Sequence, residues 1–172
     1  WREMEIDLRK LFQGEDGFDR NSNGVIERQY ELDLSGVELG GAKPFCAPVR
    51  VRARLRGFAG SVELFARVEY TMSMPCDRCA EPVTREYTKE FSHTLVRESR
   101  EDTGEFITVP DERLDLDALV LEDLLMDMPG QYLCREDCKG LCPSCGKNWN
   151  EGPCKCGAPQ VDPRLEVLRQ LL

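Results

Sequence analysis

The residues whose type and spacing could do chemistry are the cysteines, nine in all. Cys76 and Cys79 stand two residues apart in P-C-D-R-C-A-E-P, and Cys134 and Cys138 three apart in C-R-E-D-C. Cys142 and Cys145 form C-P-S-C-G, Cys154 and Cys156 form C-K-C, and Cys46 stands apart. Close pairs of this kind, odd in total, suit a metal better than a disulfide net. Zinc takes four thiolate or imidazole ligands in a tetrahedron, with Zn–S near 2.3 Å.

Cys142, Cys145, Cys154 and Cys156 make a plausible self-contained tetrad. The intervening G-K-N-W-N-E-G-P consists of turn formers, and Gly146 is free to take the positive φ such knuckles often use. Arithmetic then groups Cys76, Cys79, Cys134 and Cys138 into a second tetrad, leaving Cys46 as an expected buried core thiol. A single site with ligands chosen differently stays open, and so does iron. C-P-S-C-G resembles one knuckle of rubredoxin, but the matching second knuckle is missing, and an Fe–S cluster is a further alternative. Two structural zinc ions are the expectation. Four thiolates leave no coordination position for water, so a staple is expected rather than an enzyme.

Other constellations are weaker. Asp19 to Glu27 follows the opening of an EF-hand calcium loop, but its twelfth position is Tyr30 where a bidentate acid is needed, so a plain turn is expected. His93, the one histidine, sits mid-strand in F-S-H-T and reads as a surface or rim residue. No phosphate-loop, nucleophile-elbow, HExxH or dinucleotide-binding signature is present. No catalytic constellation and no small-molecule substrate are expected.

The elements that must position the cysteines come mostly from period-two patterns. Val49–Leu55 reads V-R-V-R-A-R-L, and Gly60–Met74 and Val83–Val96 also alternate, which predicts an antiparallel meander with the first C-x2-C at a hairpin tip. Tyr30–Leu34 reads as a further half-buried strand, and Phe106–Val109 as a short extended piece. Met4–Phe12 could be a strand or a short helix. Leu114–Met128 predicts a helix with Leu116, Leu119, Val120, Leu124 and Met128 on one face, capped by Asp115 or Asp117 and stopped by Pro129. Asp162–Leu172 predicts a terminal helix. The fold class is α+β: a 1–130 core of antiparallel sheet and packing helix, and a 131–172 cysteine-rich tail packed on it.

Arg50, Arg52, Arg54 and Arg56 fall on one face of the first alternating strand. They are a candidate RNA or phosphate contact, or else an ordinary solvated face. The net charge of −9 opposes broad nonspecific nucleic-acid affinity. The acids Glu98, Glu101, Asp102, Glu105, Asp111 and Glu112 read as a solvated loop that could also dock a basic protein. With no membrane-length apolar run and no signal-like opening, the expectation is a reduced, cytoplasmic protein.

The run P-C-D-R-C-A-E-P-V, a helix ending in M-P, then C-R-E-D-C-K-G-L-C-P-S-C-G-K-N-W-N-E-G-P-C-K-C and D-P-R-L-E-V-L resembles the YceD family of large ribosomal RNA subunit accumulation proteins. The resemblance spans essentially the whole chain, with the cysteine segment as its specific part. It implies a non-enzymatic role in synthesis, processing or stability of 23S ribosomal RNA, with large-subunit precursor RNA or a ribosomal protein as partner. Some members carry histidines where Cys134 and Cys138 stand and lack the later tetrad, which supports the same grouping. Two alternatives are an adaptor holding a ribosomal protein and a redox- or metal-sensing thiol protein.

Overall fold

The computed structural model describes residues 4–13, 24–98 and 106–156. The expected terminal helix, the first residues of the calcium-loop-like stretch and Glu101, Asp102 and Glu105 of the acidic loop lie outside these. Of the described residues, those within Trp1–Ser73 and Thr84–Gly130 form one compact unit, and those within Met74–Val83 and Gln131–Leu172 form another.

The first unit opens with β1 (Glu5–Asp7) and the single-turn helix α1 (Arg9–Phe12). Met4–Phe12 thus holds a strand and a helix in succession. The strands β2 (Val25–Leu32), β3 (Val49–Phe58), β4 (Ser61–Pro75), β5 (Pro82–Val96) and β6 (Phe106–Thr108) form one sheet in that order. β7 (Arg113–Asp115) pairs antiparallel with β1. The helix α2 (Leu116–Met126) follows directly.

The alternation that predicts β3 and β4 is also what buries them. Val49, Val51, Ala53 and Leu55 point inward from β3, and Val62, Leu64, Ala66, Val68, Tyr70 and Met72 from β4, each at most 5% exposed. β2 pairs antiparallel with β3 and β3 with β4. Ser73 meets Thr84, and Arg67 meets Glu90. Numbers that fall on one strand as they rise on the other mark β4–β5 as antiparallel too.

The sheet departs from the expected all-antiparallel form at its edge, where β6 lies parallel to the end of β5, Thr94 opposite Phe106 and Val96 opposite Thr108. Parallel neighbours ordinarily need a long crossover. Three paired residues span only about 10 Å, so a short connection can return the chain that far.

Other differences have local causes. β2 starts at Val25, five residues before the expected strand. Its outward residues are mixed in polarity, so alternation is a poor guide there. The first residues of the expected helix are strand instead: Asp115 is the N-cap, accepting a hydrogen bond from the Ala118 N–H at 3.0 Å. Leu116, Leu119, Val120 and Leu124 are its buried residues.

The helix acids expected to serve only solubility have partners. Asp123 faces His93 Nε2 at 2.8 Å, Asp127 faces Lys89, and Asp117 accepts the Met4 N–H at 2.9 Å. His93 is therefore half-buried against α2. Cys46, expected in the core, is exposed. Its neighbour Phe45 bridges to Met72 and points inward, and period two turns Cys46 out. Gly57 makes room for α1, since a Cβ there would come 2.3 Å from the Leu11 carbonyl oxygen. No helix among the described residues is long and apolar enough to cross a membrane.

Candidate metal centres

The second unit takes in the end of the β4–β5 hairpin and the segment after α2. It brings Cys76, Cys79, Cys134 and Cys138 together in one cluster, and Cys142, Cys145, Cys154 and Cys156 in another. Within each, every Sγ lies within 4.8 Å of the others. The separations include 3.8 Å for Cys76–Cys138, 3.6 Å for Cys79–Cys134 and 3.4 Å for Cys142–Cys154. A tetrahedron with metal–sulfur bonds of about 2.3 Å has edges of about 3.8 Å. The residues present therefore fit a four-thiolate metal ion in each cluster.

The two C-x2-C turns share one backbone design. The Cys76 N–H donates to the Glu81 carbonyl and the Ala80 N–H to Cys76, both at 2.8 Å. The Cys142 N–H donates to Lys147 at 2.9 Å and the Gly146 N–H to Cys142 at 2.8 Å. The fifth position is left-handed in both, with φ 72° at Gly146 and 59° at Ala80. Alanine pays a steric cost there that glycine does not, about 1 kcal/mol.

The residues between the first two cysteines hold the segment that supplies their partners. The Asp77 N–H donates to the Tyr132 carbonyl at 2.8 Å, and the Tyr132 N–H donates to Asp77 Oδ2 at 2.6 Å. Arg78 Nη1 donates to the Cys138 carbonyl at 2.8 Å, and the Arg78 carbonyl accepts the Leu141 N–H at 3.1 Å. The D-R of C-D-R-C thus has a job that spacing alone does not reveal.

A single turn of 3-10 helix, Trp149–Glu151, serves both clusters. The Trp149 indole N–H points at Cys154 Sγ at 3.5 Å, and the Asn150 amide at Cys138 Sγ at 3.2 Å. The Asn150 side-chain oxygen accepts the Lys139 N–H at 2.8 Å, and Asn148 donates to Glu81 at 2.9 Å. Partners of this kind orient metal ligands and favour their charged form.

Crowding splits the thiols electrostatically. Burial raises Cys76, but N–H groups of Cys134, Cys79 and Arg78 outweigh it and bring the thiol down to about 6. The Glu81 backbone favours the Cys79 thiolate, yet burial and the neighbouring sulfurs push it up to about 12. The Asn150 amide lowers Cys138. The Trp149 indole, then the Cys156 backbone, lowers Cys154 to about 6, while Cys145 above all pushes Cys156 up to about 12. Within each cluster one thiol is thus lowered while another is raised. Four thiolates at this spacing require a cation among them.

The arginine stripe lies in the other unit. Arg50, Arg52, Arg54 and Arg56 are all exposed on one face of β3. The register sets Glu31, Glu27, Glu69 and Glu63 on the neighbouring strands opposite members of the stripe. Arg50 and Arg52 approach Glu69 at 3.7 and 3.9 Å, and Arg54 approaches Glu27 at 3.7 Å. Positive charge there is interleaved with negative charge.

Residues 64–172 match the family described as large ribosomal RNA subunit accumulation protein YceD. The chain belongs to this family. The YceD match contains all eight clustered cysteines and begins after the arginine stripe. The chain is similar to the uncharacterized protein YlbN of Bacillus subtilis, 34% identical over 133 residues that cover 73% of this chain and 75% of that one. It is also similar to the uncharacterized protein Rv2926c of Mycobacterium tuberculosis, 32% identical over 103 residues, 56% of this chain and 49% of that one. The chain thus spans about half the length of the mycobacterial relative. No solved structure matches.

Proposed function

We propose that this YceD protein is a non-enzymatic factor for the accumulation of large-subunit ribosomal RNA, and that each cysteine cluster holds a structural zinc ion. The observation that carries the metal reading is the pair of four-sulfur clusters with spacings near a zinc tetrahedron's edge. Family membership carries the ribosomal reading. Zinc would supply folding free energy and no reaction, because four thiolates close its coordination sphere. All-sulfur sites also suit iron, so elemental analysis separates the two.

Conditional loss of the gene, with large- and small-subunit RNA quantified separately, tests the functional part. A selective fall in large-subunit RNA, restored by the native gene and not by Cys138→Ser, is expected. An unchanged ratio of the two RNAs would sink the reading. The arginine stripe, interleaved with acids of the neighbouring strands, is the weaker candidate RNA contact, tested by reversing the charges of Arg50, Arg52 and Arg54 and following co-sedimentation with large-subunit precursors.

A further inference from the structure

The groove beside the second cluster offers a different contact. It has a volume of about 610 Å³ and is lined by Lys139, Trp149, Gly152, Pro153 and Cys154. Trp149 is half-buried, with its indole N–H committed to Cys154 Sγ and its backbone N–H to the Gly140 carbonyl at 2.9 Å. Both bonds engage polar groups of the residue and neither occupies the π-face of the indole. Lys139 is exposed at the rim, its backbone fixed by Asn150 and its ammonium in no ion pair among the described residues.

Charge separates this surface from the arginine stripe. Among the described residues of the unit, Arg135 and Asp137 form an ion pair at 3.4 Å, while Lys139, Lys147 and Lys155 form none. The unit carries seven basic and seven acidic residues, so the whole net charge of −9 belongs to the sheet unit. An aromatic face beside an unpaired ammonium is what single-stranded nucleic acid uses: bases stack on the ring and phosphates meet the cation.

We propose that this groove binds single-stranded RNA, with a base stacked on Trp149 and the adjoining phosphate on Lys139. The inference rests on the ribosomal reading above and names its contact. Metal at the second cluster fixes Cys154 and through it the Trp149 ring, so the groove is formed by the metal-loaded protein.

The test is fluorescence anisotropy of labelled oligouridine titrated with the full metal-loaded chain, with metal content measured for every variant. Lys139→Glu should weaken binding about tenfold at unchanged metal content, Trp149→Leu should weaken it about tenfold when compared at full metal loading, and Arg52→Glu with Arg54→Glu should change it less than about twofold. Should Trp149→Leu lose metal, Trp149→Phe retains a stacking ring and should bind more tightly than Lys139→Glu. Unchanged binding by Lys139→Glu, or a loss confined to the arginine variants, would overturn the proposal. So would a Lys139→Glu protein that loses metal but keeps its affinity, since the lysine would then only balance thiolate charge. Absence of oligouridine binding by the native chain, while gene loss still lowers large-subunit RNA, would remove the groove and leave the function standing.

Discussion

The sheet unit buries long alternating runs of aliphatic residues on β3 and β4, whereas the cysteine unit buries Cys76, Cys79 and Cys138 beside Val83, Leu133 and Cys134. One has an apolar core that burial alone can stabilise, at roughly 25 cal/mol per Å² removed from water. The other has a cluster of thiols that repel one another once ionised. On the metal reading proposed above, the difference teaches that the two units depend on different conditions: the sheet folds on apolar burial, and the cysteine unit folds around a cation. Their surfaces differ likewise, with charges paired across strands in one and, among the described residues, lysines in no ion pair in the other.

The largest break in that comparison should come from metal removal. Structural zinc sites contribute about 10–16 kcal/mol of apparent binding free energy in small domains. A strong chelator should abolish amide protection in residues 131–156 while β3 and β4 stay protected, as read by hydrogen exchange. Loss of protection in both units together would contradict their separate dependence.

Leu55→Ala attacks the other side. It removes a fully buried side chain from β3 and should cost about 2–5 kcal/mol in urea unfolding of the sheet unit, with metal stoichiometry unchanged. Asn150→Ala removes the amide donor at Cys138 and the acceptor for the Lys139 N–H. Outer partners of this kind are worth about 10–100-fold in metal affinity, and competition with a chromogenic chelator should show a loss in that range for the first cluster. The smallest effect sharpens the knuckle comparison. Ala80→Gly gives the first turn the residue the second already has, and should raise stability by under about 1 kcal/mol. A loss of stability would mean that φ at Ala80 is not strained.

What the sequence shows follows the same division. V-R-V-R-A-R-L reads as a strand because one face is uniformly apolar, and C-P-S-C-G reads as a knuckle because glycine announces its positive φ. Ala80 adopts nearly the same conformation without any such signal, so the matching design of C-D-R-C-A stays hidden until hydrogen bonds are seen. The parallel placement of β6 depends on where a connection returns, which three residues of pattern cannot encode. Asp77, Arg78, Trp149 and Asn150 look like turn residues in the sequence. The roles of Asp77 and Arg78 come from partners distant in the chain, at Tyr132 and Cys138, and those of Trp149 and Asn150 from cysteines five and twelve residues away. The exposure of Cys46 was legible from Phe45 beside it, had the inward direction of that neighbour been fixed first.

The most direct test of the central claim is native mass spectrometry of untagged protein purified without added metal, with the element identified. The account predicts two zinc ions per chain, one for each four-cysteine cluster, with Cys138→Ser and Cys145→Ser each removing one. A metal-free chain with both clusters intact and protected from exchange, or a chain carrying iron, would contradict it.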